Sequence, residues 1–159
     1  MTIGVMIVTI SDTRTFETDK SGQLIEDYLN ESGHRIIKRE IVKDDRFSIE
    51  GALTKGFEHP DIDVILTSGG TGIAYRDVTI ETVEPLLDKE ITGFGEIFRM
   101  LSYTEDIGSA AIMSRAIAGV AQHTAIFSMP GSSGAVKLAM EKLILPELTH
   151  VVHEIKKDL

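Results

Sequence analysis

Residues Ile3 to Ile10 are almost continuously apolar and rich in β-branched side chains. Such a run suits a strand buried on both faces, and that requires a parallel sheet covered by helices on each side. The residues that follow agree. Ser11-Asp12-Thr13-Arg14 ends the run, Leu24, Ile25, Tyr28 and Leu29 recur at helical spacing, and Gly33 supplies a stop before Ile36-Ile37 and Ile41-Val42 form a second strand. After Lys43-Asp44-Asp45, a helical stripe of Ile49, Leu53 and Phe57 closes at Pro60, and Ile62 to Leu66 reads as a third strand. Strands alternating with helices predict an open, doubly wound α/β sheet, whose ligands bind beyond the carboxyl ends of the strands.

The second half is less regular. Thr79 is expected to cap a short helix carrying Ile80, Val83 and Leu87, with Pro85 in its path, and a further helix bears Phe94, Ile97, Phe98 and Leu101. Small and β-branched residues alternate from Ser114 to Val120; they suit a strand or a helix, and the strand is the reading taken here. His123-Thr124 reads as a turn into a strand from Ala125 to Met129. Pro130-Gly131-Ser132-Ser133-Gly134 then opens a helix with Val136, Met140 and Leu143, with Ser132 or Ser133 as its N-cap. Leu148, Val151, Val152 and Ile155 mark a last amphipathic helix.

At 159 residues and 42% hydrophobic, residues 1–159 suit one domain with a full core. The formal net charge of −9 argues against nonspecific nucleic-acid binding, which needs clustered Lys and Arg. No cysteine is present, so disulfides, thiolate nucleophiles and Cys-type zinc sites are excluded. No basic region precedes the first apolar run, which has only strand length. These features give the expectation of a cytoplasmic protein without a membrane or nucleic-acid partner.

Val64-Ile65-Leu66 runs directly into Thr67-Ser68-Gly69-Gly70-Thr71-Gly72, with Asp77 soon after. Glycines at a strand end let backbone N–H groups approach an anion with no Cβ in the way. Ile73 stands where a Walker A lysine would, and the glycine spacing is wrong for a dinucleotide fingerprint. A tight βα connection would also account for a lone glycine turn. The hydroxyls of Thr67, Ser68 and Thr71, the adjacent Arg76-Asp77 and the second loop at Pro130-Gly131-Ser132 favour a groove for a phosphorylated ligand. Carboxylates beside a phosphate site would repel it unless they hold Mg²⁺. Asp12, Asp44, Asp45 and Asp77 all stand in loops after strands or after the glycine turn; loop aspartates also cap helices and make turns, and that is the reading taken here for Asp12 and Asp45. Arg76, Arg99 and Arg115 are candidates for phosphate contact, and Glu96 with Arg99 suits an intrahelical ion pair equally well. The histidines form no close metal pair, and no G-x-S-x-G elbow supports a hydrolase triad.

Ser68-Gly69-Gly70-Thr71-Gly72, Arg76-Asp77-Val78-Thr79, Gly93-Phe94-Gly95-Glu96, Ser114-Arg115 and Pro130-Gly131-Ser132, in this order, resemble the MoaB/MogA family of molybdenum cofactor biosynthesis proteins over nearly the whole chain. The resemblance implies a three-layer α/β/α sandwich with a mainly parallel sheet, assembled as a homo-oligomer, a trimer or hexamer. It also implies that molybdopterin binds and that its terminal phosphate is joined to AMP from Mg-ATP, with release of pyrophosphate. Asp77 and Asp44 match the family's catalytic acids, acting through the Mg-nucleotide. Gly69, Gly70 and Thr71 match the turn lining the substrate groove, and Ser132 with its neighbours Pro130, Gly131 and Ser133 matches the pterin-phosphate loop. Ser68, Gly72, Arg76, Arg115 and Glu96 complete the expected binding set. The segment Gly95 to Ser102 is closer to the MoaB branch, some of whose members lack the activity, so a non-catalytic molybdopterin carrier is the alternative. The intact Arg76-Asp77 pair favours the enzyme. Phe94, Phe98 and Ile112 are expected at a subunit interface.

Overall fold

The computed structural model describes residues Met1 to Leu159. Its strands are β1 (Gly4–Ile10), β2 (Arg35–Val42), β3 (Val64–Ser68), β4 (Lys89–Glu90), β5 (Ile117–Ala121) and β6 (Thr124–Met129). Its helices are α1 (Lys20–Glu31), α2 (Arg46–Glu58), α3 (Thr79–Val83), α4 (Thr92–Glu105), α5 (Ser133–Leu138) and α6 (Leu145–Lys156). The strands form one sheet in the order β2-β1-β3-β6-β5-β4. Pairing is parallel from β2 to β6, and β5 runs antiparallel to both its neighbours.

The near-continuous apolarity of β1 has the cause expected. Ile3, Val5 and Ile7 face one core with Ile25, Leu29, Phe94, Phe98, Val136 and Leu148. Met6, Val8 and Ile10 face a second core with Ile49, Leu53, Phe57 and Val83. Helices α1, α4, α5 and α6 therefore cover one side and α2 and α3 the other, which makes the three layers. Burying each such side chain contributes about 1.5–3 kcal/mol.

Several elements differ from expectation. Phe94 and Phe98 are buried, Phe94 against Phe127 and Phe98 against Phe94, rather than exposed for an interface, because α4 turns its aromatic face inward. Thr79 lies inside α3, not at its cap; its hydroxyl donates to the Gly69 carbonyl instead. The strand expected from Ser114 starts only at Ile117, after a 3₁₀ turn at Gly108–Met113. Gln122 and His123 both adopt left-handed backbone, with φ of 49° and 65°, and close a two-residue hairpin between β5 and β6. Helices α5 and α6 are joined by a wider π turn at Ala139–Ile144, where the Leu145 N–H reaches back to the Met140 carbonyl. Pro146 follows immediately; it has no N–H to continue a regular helical ladder, and the wider turn absorbs that break.

Candidate functional site

The glycine turn leaves the carboxyl end of β3 and the Pro130 loop leaves that of β6, and these strands are paired neighbours. The two loops meet: the Gly69 N–H donates to the Met129 carbonyl at 3.0 Å, and a Cβ on Gly131 would stand 3.3 Å from the Gly69 Cα. Gly70, Thr71, Gly72, Asp77, Pro130 and Gly131 line a cleft of about 330 Å³. Ile107, Ala110, Met113 and Ser114 complete the lining, so the backbone and carboxylate of the two loops are joined there by a largely apolar stretch of chain.

Within the turn, all four peptide groups from Gly69 to Ile73 are held by their carbonyls. Thr79 takes two: its hydroxyl donates to Gly69 at 2.9 Å and its N–H to Gly70 at 3.0 Å. Arg115 takes the others: Nε donates to Thr71 at 3.0 Å and Gly72 at 3.1 Å, and Nη2 to Gly72 at 2.7 Å. The N–H groups of Gly70, Thr71, Gly72 and Ile73 donate to no acceptor in the chain. In a trans peptide the N–H points opposite its carbonyl. Holding these carbonyls back therefore leaves successive N–H groups turned away from their tethers and available to an anion. Left-handed backbone at Gly69 and Gly70, with φ of 99° and 68°, makes the turn possible.

The carboxylates gather beside this turn. The Asp12 and Asp44 loops are locked together: the Asp12 N–H donates to the Asp44 carboxylate at 3.1 Å and the Asp44 N–H to the Asp12 carboxylate at 3.0 Å. Asp44 lies so close to Gly70 that a Cβ there would come within 2.9 Å of Oδ1. Asp77 folds back over its own loop and accepts from the Ala74 N–H at 3.0 Å. Arg76 forms a fork on Asp12, at 2.7 and 3.0 Å, which holds the Asp12 carboxyl below the ordinary range. Burial, and then the neighbouring Asp12 and Asp77 charges, push the Asp44 carboxyl up. No three His, Asp or Glu side chains converge as a ready metal cage.

The remaining expected residues divide. Ser68 is fully buried with its hydroxyl 3.0 Å from that of Ser21, so it braces the strand end and does not face the cleft. Ser132 caps α5 by accepting from the Ala135 N–H, and Ser133 lines a neighbouring recess with Phe16 and Lys20. Arg115 stands behind the turn and forks onto Glu81, which holds the Glu81 carboxyl low. It is therefore not free to grip a phosphate as expected. Glu96 sits on the exposed side of α4 outside the cleft lining. Asp45 caps α2 through the Ser48 N–H at 2.7 Å. Sequence reading took Asp12 only as a turn residue, without its pairing to Arg76, and missed Glu81 and the apolar stretch at Ile107 to Met113. Arg76 beside Asp77 was the one available signal, since a paired arginine needs a carboxylate from elsewhere.

A larger recess of about 610 Å³ lies between α6 and the β4–β5 edge, lined by Asp88, His123 and His150 among others. It is at the other end of the sheet, since His123 precedes β6 whereas the Pro130 loop follows it. No comparable glycine turn lines it.

Residues 6–150 match the family described as "Probable molybdopterin binding domain". The chain is 65% identical over 152 residues to molybdenum cofactor biosynthesis protein B of Bacillus subtilis, a match covering 96% of this chain and 89% of that relative. Its fold is similar to a crystal structure of a molybdenum cofactor biosynthesis protein B, with a TM-score of 0.97 and 61% identity over 99% of this chain and 98% of the other. It is also similar to the structure described as the molybdopterin biosynthesis enzyme MoaB from Thermus thermophilus, with a TM-score of 0.84 and 31% identity over 98% and 97% of the two chains. No helix is long and apolar enough to cross a membrane.

Proposed function

Since the chain belongs to the MoaB family of molybdenum cofactor biosynthesis proteins and carries its molybdopterin-binding domain, we propose that it adenylylates molybdopterin. A terminal phosphate oxygen of the pterin attacks the α-phosphorus of ATP. A new P–O bond forms, the bond from the α-phosphorus to the bridging oxygen breaks, and pyrophosphate leaves. Such transfers need little covalent help from a protein; positioning two anions in line and neutralising their charge carry most of the rate.

The observation that carries this reading is the row of unpartnered N–H groups from Gly70 to Ile73 beside the carboxylates of Asp44 and Asp77. In this assignment the turn and the Pro130–Gly131 loop receive phosphate, and the apolar stretch at Ile107 and Met113 lies against the ligand's ring system. Asp44 and Asp77 orient the nucleotide. Asp44, crowded by like charge, fits a hard oxygen-seeking cation; Mg²⁺ arriving on ATP supplies charge neutralisation for the phosphates. The same reading places the protein in the cytoplasm, where ATP is supplied.

Incubation with molybdopterin, ATP and Mg²⁺ is expected to release pyrophosphate in step with adenylylated pterin. Asp77→Asn is expected to lose turnover and keep pterin binding. Saturable pterin binding by the unaltered protein without pyrophosphate would replace the enzyme with a carrier. The same reading includes a homo-oligomer, trimer or hexamer, supported by the exposed Met100, Tyr103 and Ile112 along α4 and the 3₁₀ turn after it. Light scattering is expected to report three or six copies, and a monomer mass would overturn that part.

A further inference from the structure

We infer that Arg115 is the positioning residue that makes the glycine turn an anion receptor. It acts by holding the turn's carbonyls away from the ligand, not by touching the ligand. The inference rests on the proposed phosphate role of the turn and extends it to a residue outside the cleft lining.

The geometry has three parts. First, the guanidinium binds both ends of the same loop: Thr71 and Gly72 carbonyls at its start, and the Asp77 carbonyl, at 3.3 Å from Nη2, at its end. One planar group thus sets the spacing between the open N–H groups and the Asp77 carboxylate. Second, its orientation is fixed from behind by Glu81 on α3, through a two-point fork at Nη1 and Nη2. Third, Thr79, two residues before Glu81 on the same helix, holds the Gly69 and Gly70 carbonyls. Helix α3 therefore secures the whole turn, half directly and half through Arg115.

The chemistry follows from peptide geometry. A free glycine turn can rotate its peptide planes, and each rotation presents a carbonyl oxygen where an N–H stood. For an anion that exchange replaces attraction with repulsion. Arg115 blocks it at the Thr71 and Gly72 carbonyls, and its positive charge offsets their partial negative charge. Lysine cannot substitute, because an ammonium lacks the planar fork needed to span two carbonyls and a carboxylate together.

The test uses the full-length protein with inorganic pyrophosphate as probe, followed by amide NMR. In the unaltered protein, the amide signals of Gly70, Thr71, Gly72 and Ile73 are expected to move on titration. Arg115→Lys is expected to weaken pyrophosphate binding tenfold or more while the amides of β1 and β3 keep their positions, which separates loss of the turn from loss of the fold. Glu81→Gln, which keeps the carbonyl contacts and loosens their support, is expected to weaken binding by a smaller factor and serves if Arg115→Lys does not fold. Equal affinity in the unaltered protein and the folded variants would overturn the role of Arg115 and leave the phosphate reading intact. No response of the turn in the unaltered protein would overturn both.

Discussion

Asp44 is the side chain through which pH reaches the site. Its carboxyl is raised by burial and by Asp12, so it takes up a proton at a higher pH than an ordinary aspartate. The sign for stability follows: over the window between the unfolded and the raised folded value, the folded state binds more protons, so Asp44's contribution to stability falls as pH rises. The ionised carboxylate is the form a cation requires, and the acid limb of turnover is therefore expected above the usual carboxylate range. Asp12→Asn removes a like charge and frees Arg76, and the limb in a pH–rate profile should move to lower pH. An unmoved limb would take Asp44 out of the rate. Gly70 bears on the same point sterically. A Cβ there would stand 2.3 Å from the Thr79 hydroxyl and adopt a φ of 68°, so Gly70→Ala is expected to cost about 2 kcal/mol in urea unfolding, with loss of phosphate binding.

At the scale of elements, the site depends on how α1 is fastened beneath it. Asp19 caps α1 through the Gly22 N–H, accepts from the Thr9 hydroxyl at 2.7 Å and pairs with Arg39, the two side chains being 1% and 12% exposed. Ser21 continues the chain of contacts from Asp19 to Ser68 at the entrance of the glycine turn. Removing one partner of a buried pair leaves the other uncompensated, so Asp19→Ala is expected to cost about 3–5 kcal/mol. Chemical denaturation measures it, and a loss below about 1 kcal/mol would contradict the buried-network account. What sequence could and could not reveal divides along the same line. Strands β1, β3 and β6 are buried throughout and announce themselves by apolar runs. Strand β4 is two exposed charged residues held by backbone pairing to β5, and no side-chain pattern marks it. Thr79 was misread as a cap because its true partner, the Gly69 carbonyl, belongs to another element. The π turn before Pro146 likewise answers to packing and to a missing N–H, while the apolar stripe runs on across it.

For the whole molecule, the doubly wound topology brings the carboxyl ends of β1, β2, β3 and β6 to one rim, and with them Asp12, Asp44, the glycine turn and the Pro130 loop. That convergence was legible, because alternating strands and helices permit little else. The allocation of roles within it was not. Arg115 reaches the turn from 43 residues further along the chain and is held there by Glu81, and an arginine that binds carbonyls has the same one-letter signature as one that binds phosphate. The direct measurement is the position of phosphorus in a crystal of the protein soaked with molybdopterin. The account predicts phosphate oxygens within hydrogen-bond distance, about 3 Å, of the N–H groups of Gly70 to Ile73, with Asp77 alongside. Phosphate seated instead in the recess by His123 and His150, with the glycine turn making no contact to it, would contradict it.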